Sequence, residues 1–379
     1  LFSAISEYER SITLDPDFAE AHAQLGKMHA HVKWYRHDLS DKRMELSKKS
    51  IDRAMELKPN NATVRIGRGT YYYHGFRDYG KALADYSLAK ELEPGNISAI
   101  YRIGLIYRRL GDLEKAIENI SDASNLDPRS TLMINQLVGS HVSIRNYNEA
   151  IKLAKKSYEI NNSYDGVANN YTRAMYFKSG DVIKYLNDSK KFYDESNIRI
   201  LNLYRMLKKH KELFNILINS NQQYFGNVIE VFSRHYFLGL AHYYNGNTEL
   251  AYESYNKAIK FLTEQINLYP NDARFYTSMG LTYARLGDSQ KAINFGLKGV
   301  EVLPVNKDAF FGPNHEKGLA KIYSIINEKI KALEMIEYLS SIPNGLHYGE
   351  LLSDPDFDLI RNEIRFQNVL LKLKSELWA

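Results

Sequence analysis

The sequence predicts an all-α chain, a solenoid of stacked helical hairpins closed by a C-terminal helical cap. Three observations predict it. A pattern of small and aromatic residues returns with a period of about 34 residues, the mark of a repeated helical hairpin. Its clearest copies are Ile103, Gly104, Tyr107, Gly111, Ala116, Ile120, Ala123, Pro128 and Met279, Gly280, Tyr283, Gly287, Ala292, Gly296, Gly299, Pro304. Tyrosine is abundant, at 29 of 379 residues, and a ring that packs while its hydroxyl stays wet suits helices with one buried and one exposed side. Near the C-terminus, Pro343, Gly345 and Asp354-Pro355-Asp356-Phe357-Asp358 break the period and mark a different element.

The elements follow in order. Residues 1–18 read as a half repeat, because Ala4, Tyr8, Ser11 and Pro16 match only a second helix. Such a lone amphipathic helix needs a first helix to cover it, so the chain is expected to be a piece of a longer protein. Residues 19–196 form an N-terminal array with units at Glu20 to Pro59, Ala62 to Pro94, Ile97 to Pro128, Thr131 to Asn162 and Asp165 to about Asp194. In the third of these, Gly104 and Ala116 are small where two helices cross closely. Gly111 suits a left-handed cap, and Pro128 ends the second helix. About nine extra residues within Lys33 to Arg43 lengthen the first unit's helices or enlarge its turn.

Residues 197–226 are a degenerate helical pair without the Gly and Pro marks, expected to bend or divide the array. Residues 227–342 form a C-terminal array with units at Val228 to Pro270, Ala273 to Pro304 and Lys307 to about Ile342, and the helix from near Thr248 runs to about Leu268. Residues 343–379 form the cap. Asp354 is placed to cap a helix starting at Pro355, Asp356 is expected in solvent, and Phe357, Ile360, Phe366 and Leu370 cover the apolar edge of the last repeat.

The units resemble the tetratricopeptide repeat (TPR) over nearly the whole chain. The resemblance implies a right-handed superhelix of about nine units. The end of the chain is similar to the tail of TPR regions that follow bacterial serine/threonine kinase domains, adenylate or guanylate cyclase domains, or winged-helix regulators. The matching marks are Leu319-Ala320, Tyr323, Ala332, Pro343, Leu352, Asp354-Pro355, Phe357-Asp358, Arg361, Arg365-Phe366 and Leu370, with Asn327 where a turn glycine is usual.

The resemblance also implies that the first helix of each unit lines a concave groove. The groove residues are then Tyr73, Tyr101, Arg102, Arg108, Arg109, Asn135, Gln136, Asn169, Arg173 and Tyr176, a set suited to an extended acidic or polar peptide. The tyrosines can equally pack between adjacent helices with the arginines lying over them. The lysine-and-asparagine clamp of chaperone-binding relatives is not reproduced in consecutive repeats, so a chaperone tail is not the expected partner.

Other chemistry finds no support. Gly75-Phe76-Arg77-Asp78-Tyr79-Gly80-Lys81 imitates a phosphate-binding loop, but Ala82 stands where a Ser or Thr must hold magnesium, and a helix rather than a strand precedes it. His22, His29 and His31 lack zinc spacing. Asp354, Asp356 and Asp358 lack the glycine and glutamate of a calcium loop. No GxSxG occurs. The net charge of +5 comes from short basic clusters interleaved with acids, which read as solvated faces rather than a nucleic-acid site. With no cysteine there is no disulfide or thiolate site, and no apolar run approaches a membrane span.

The expectation is therefore a non-catalytic protein-interaction and regulatory module, without cofactor or metal, of a bacterial multidomain signalling protein. Its partner would be a protein or peptide, or an upstream domain of the same chain. No signal peptide is visible, and the cytoplasm is favoured. A scaffold that oligomerises through its open repeat ends is the alternative.

Overall fold

A computed structural model describes residues 1–161 and 165–377, with the side chains of residues 165–169 outside the description. Twenty-one α-helices, one 3-10 turn and one short β-hairpin are present among the described residues. The chain divides into two compact units, Leu1–Met133 and Ile134–Ala379.

In the first unit, α1 (Phe2–Leu14) precedes the hairpins α2 (Ala19–Trp34) with α3 (Asp41–Leu57), α4 (Ala62–Phe76) with α5 (Tyr79–Leu92), and α6 (Ile97–Leu110) with α7 (Leu113–Leu126). Ile5 of α1 is buried with Leu25 and Val32 of α2. The α6–α7 crossing is close because Gly104 has no side chain: a Cβ there would stand 2.7 Å from Ile120 and 3.0 Å from the Ala116 carbonyl. The insertion lengthens both helices, to 16 and 17 residues against 14 in α6 and α7, and also adds the loop from Tyr35 to Ser40. Asp78 caps α5 by accepting from the Lys81 amide, so the glycine-rich stretch before it is a helix start.

The unit boundary falls within α8 (Thr131–Ser143). In the second unit α8 pairs with α9 (Tyr147–Ile160), α10 (Asp165–Ser179) with α11 (Val182–Ser189), and α12 (Ile198–Met206) with α13 (His210–Ile218). Strands β1 (Tyr224–Gly226) and β2 (Val231–Ser233) follow. Then come α14 (Arg234–Tyr244) with α15 (Thr248–Leu268), α16 (Ala273–Leu286) with α17 (Ser289–Val302), and α18 (Gly312–Ile325) with α19 (Lys329–Ser341). The C-terminal segment holds α20 (Tyr348–Ser353), the 3-10 turn Pro355–Phe357 and α21 (Ile364–Ser375).

Two sequence expectations change. The helix expected from Val228 starts at Arg234, because residues 224–233 form an antiparallel hairpin pairing Phe225 with Phe232. Asn227 builds its turn, its side-chain oxygen accepting from the amides of Ile229 at 2.7 Å and Glu230 at 3.1 Å. The degenerate pair α12–α13 is an ordinary hairpin: Leu201, Leu203, Leu213 and Leu217 are buried in one core with Phe237 and Tyr255.

The turn within that pair explains the missing glycine. Each of the nine helical hairpins among the described residues puts one turn residue at positive φ, and these are Arg36, Arg77, Gly111, Arg145, Gly180, Lys208, Gly246, Gly287 and Asn327. Five of the nine are not glycine, so the sequence mark disappears while the geometry stays. A left-handed non-glycine residue costs roughly 1–2 kcal/mol, and the Lys208–Asp358 ion pair is too exposed to offset it. The Lys208→Gly variant is therefore expected to be more stable by about 1 kcal/mol, read as a raised urea midpoint with an unchanged slope.

The cap closes the last repeat. Phe357, Ile360 and Phe366 are fully buried with Leu333, Ile336 and Leu339 of α19, and Leu370 is partly buried beside them.

Candidate functional site

In the first unit the inner helices α2, α4 and α6 carry a basic and aromatic face. Neither α4 nor α6 contains an Asp or Glu. On α4, Arg65 and Arg68 share the one carboxylate of Asp85 of α5, at 3.3 and 2.6 Å. Lys27 on α2 and Arg102 on α6 have no such carboxylate among the described residues. Arg102 donates to the Ser98 hydroxyl at 3.3 Å and lies 5.9 Å from the Tyr86 ring centre. Burial, helped by the Arg102 charge, pushes the Lys27 ammonium down to about 8.

Between these cations lies an aromatic floor. Trp34 stacks on His74 at 4.5 Å and meets Tyr73 at 5.1 Å, and the His31 and His74 rings are 4.8 Å apart. Burial and the neighbouring cations push His31 down to about 3, and His74 well below its usual range, so both rings are neutral at pH 7. Arg109 donates from Nε to the Tyr73 hydroxyl at 2.8 Å, its guanidinium 5.4 Å from the Trp34 ring centre. The face is thus neutral and aromatic at its base, with Lys27 and Arg102 half-exposed at its edge.

This corrects part of the groove expected from sequence. Tyr73, Tyr101, Arg108 and Arg109 are buried, at 1, 8, 3 and 5% exposure. They shape the floor instead of projecting from it, and Arg102 alone of the five keeps substantial exposure.

The other five expected groove residues belong to the second unit. Asn135 is buried, Gln136 is half-buried, and the Asn169 side chain lies outside the described residues. Arg173 and Tyr176 line a cavity whose far wall is the chain's own C-terminal segment. That segment does more than cover the last repeat. Arg205 of α12 grips Asp354 through two bonds of 2.9 and 3.2 Å and reaches Asp356 at 3.0 Å. Lys321 of α18 bonds Asp354 at 2.7 Å, and Arg285 of α16 bonds Asp356. Asp354 also caps the 3-10 turn through the Asp356 amide. Asp356, expected in solvent, is 5% exposed, because the segment turns inward onto α12 and α16. Further along, Tyr147 bonds the His347 ring at 2.7 Å, Phe177 stacks on that ring at 4.1 Å, and Tyr176 bonds Ser353 at 2.8 Å. Arg145 donates to the carbonyls of Leu339, Ile342 and Leu346 at 3.0–3.3 Å.

A tetratricopeptide repeat model matches residues 97–130, 233–261 and 273–302, which are α6–α7, α14 with the first part of α15, and α16–α17. The chain carries tetratricopeptide repeats. It is 25% identical over 282 residues to a TPR repeat-containing protein of Methanocaldococcus jannaschii, covering 69% of this chain and 47% of that protein. It is 24% identical over 295 residues to Hsp70-Hsp90 organizing protein 3 of Arabidopsis thaliana, covering 77% of this chain and 44% of that one. The chain thus spans about half the length of these curated relatives. Among solved structures, the APC/C hetero-tetramer Cut9-Hcn1 overlaps 84% of this chain and 52% of its own, at 15% identity and a TM-score of 0.45.

Within the hairpins of the first unit, the residues that sequence reasoning missed are Lys27, His31, Trp34 and His74. The absence of acids from α4 and α6 was the available signal for that face. The three histidines first weighed as a metal group take separate partners: His22 meets the Pro16 carbonyl at 2.9 Å, His29 meets Arg43 at 3.3 Å, and His31 meets the His74 ring. No helix among the described residues is long and apolar enough to cross a membrane.

Proposed function

We propose that the TPR hairpins of the first unit hold an extended acidic segment of a protein partner across α2, α4 and α6. The observation that carries this is the pairing of an aromatic floor with Lys27 and Arg102, two cations that have no carboxylate of their own among the described residues. Carboxylates on a peptide supply the missing charge, while its backbone and apolar atoms lie on Trp34, His74 and Tyr35. The groove residues of the second unit, Arg173 and Tyr176, face the chain's own segment and are not part of this binding face. The C-terminal marks support a regulatory module that serves an output domain of a larger bacterial signalling protein, by partner capture or by docking onto that domain. A cytoplasmic setting suits this role.

A fluorescein-labelled peptide rich in Asp and Glu is expected to bind and to change Trp34 fluorescence. Lys27→Glu with Arg102→Glu should weaken binding about tenfold or more, whereas Lys115→Glu on α7 leaves it unchanged. The pH dependence has a definite sign. Lys27 is charged below its lowered value of about 8 and neutral above it, so affinity falls from about pH 7 to about pH 9. Lys27→Arg removes that fall, since a guanidinium stays protonated. Binding that ignores the double variant and stays flat across this range would refute the assignment.

A further inference from the structure

We infer that the second unit holds a small dianion, a dicarboxylate or a phosphate monoester, in the cavity between Arg173 of α10 and Arg199 of α12. The cavity has a volume of about 260 Å³, just below the usual range for small-molecule sites, roughly 300–1,000 Å³. That space takes a metabolite-sized ion. It belongs to the second unit and the peptide face to the first, and the two assignments stand independently.

Charge accounting points to the ligand's sign. The cations on the cavity wall are Arg173, Arg199, Arg205, Arg274, Lys317 and Lys321. Most are spoken for. Arg205 and Lys321 hold Asp354 and Asp356, with Arg285 behind them. Arg274 holds Asp272 at 2.7 Å, and Lys317 holds Glu350 at 3.2 Å. Glu230, the remaining carboxylate on the wall, accepts from Asn202 at 3.1 Å. With Arg285 included, seven cations face five carboxylates, which leaves two positive charges in excess.

One excess charge sits with Arg205, Lys321 and Arg285 around Asp354 and Asp356, and the other with Arg173 and Arg199, which have Glu230 between them for a counter-charge. Neither Arg173 nor Arg199 lies within ion-pair distance of a carboxylate among the described residues. Among the described residues Arg173 has a 3.5 Å contact to Asn170 and the Phe177 ring at 5.9 Å, and its buried Nε has no hydrogen-bond partner. Arg199 stacks over the Tyr193 ring at 4.8 Å. Arg173 is held at a cost, since burial lowers its pKa and the Arg199 charge lowers it further, whereas Tyr185, Tyr193 and Glu230 support the Arg199 charge. A desolvated arginine without an ion-pair partner is costly, and a dianion bound between Arg173 and Arg199 offsets that cost by forked hydrogen bonds.

A second observation points into the same space. The Ser278 hydroxyl, on the cavity wall and 1% exposed, has no hydrogen-bond partner among the described residues. It is available to a ligand oxygen. Buried hydroxyls normally find a partner.

The test is isothermal titration of the full chain with succinate and with inorganic phosphate, against acetate and sodium chloride at matched ionic strength. Saturable one-to-one binding of succinate or phosphate, with a Kd of about 1 mM or tighter, is expected. The two arms separate a carboxylate ligand from a phosphate ligand. Arg173→Gln and Arg199→Gln should each weaken it about tenfold or more, while Arg102→Gln in the first unit leaves it unchanged. Without ligand, Arg173→Gln should raise Tm, because it removes a charge that burial disfavours and that has no ion-pair partner among the described residues. Absence of binding by both dianions, binding indifferent to the two arginines, or an unliganded Arg173→Gln protein of lower Tm would each overturn the proposal.

Discussion

The Arg205→Met variant is expected to lose about 3–5 kcal/mol of stability in the second unit. Arg205 is 5% exposed and holds two carboxylates that are equally buried, Asp354 and Asp356. Removing the guanidinium strands those carboxylates in a low-dielectric interior with Lys321 and Arg285 as their remaining partners. The effect should appear as a lower urea midpoint for the second unit, followed by circular dichroism. Acid carries the same signature. Burial alone would raise the Asp354 pKa, but Arg205 and Lys321 overcome it and hold the carboxyl far below the ordinary carboxylate range. A depressed folded-state value means that the stability is fully present above the unfolded value near 4 and is lost as pH falls below it. The Arg205→Met protein should therefore show a shallower stability loss below about pH 4 than the parent. A midpoint shift worth less than about 1 kcal/mol would mean that the network contributes no more than a surface pair does.

Gly349→Ala is expected to destabilise the same unit by about 1–3 kcal/mol through overpacking. A Cβ at Gly349 would stand 2.1 Å from the Tyr176 carbonyl oxygen and 3.1 Å from the Gly180 amide, both backbone atoms of the α10 end that cannot swing aside. Helix α20 must then lift from α10, taking the Tyr176–Ser353 bond with it. Hydrogen exchange should quicken across residues 344–353 and stay unchanged in α4. Gly95→Ala is the matched control, since nothing lies within 4 Å of its Cβ position. Equal exchange in the Gly349→Ala protein and its parent would show that the segment is not held by this close approach.

The fold was legible where physics imposes period and size. Gly104, Ala116 and Ile120 revealed a helix crossing, and the run from Thr248 to Leu268 kept an amphipathic pattern long enough to show its extra turns. Turn chemistry was legible only where glycine, or Asn327 in its place, fills the left-handed position. At Arg77, Arg145 and Lys208 the surrounding hairpin imposes the same φ on a residue that has no preference for it, and no local signal survives. The β-hairpin was hidden because Asn227, not an Asn-Gly pair, builds its turn.

The candidate sites were legible in kind and not in place. A 34-residue register assigns residues to helices, but it does not say which arginine lies under a tyrosine. Arg109 and Arg102 share one helix and a similar expectation, yet one is fixed beneath Trp34 and the other keeps its exposure. The inward turn of Asp354 and Asp356 depends on Arg205, about 150 positions away, and a periodic reading cannot pair residues at that separation.

That long-range pairing changes how the second unit should come apart. In an open solenoid each repeat leans only on its neighbours, so the array frays from its ends and its stability adds repeat by repeat. Here Ser143 of α8 bonds Asn344, 201 positions later in the chain. The array is latched from its first hairpin to its last. Neither end is free to fray first, so the hairpins between them melt together. Assembly inherits the opposite consequence: the latch is a contact of high sequence separation that must wait for the hairpins to form, which makes its closure the late and slow event of folding.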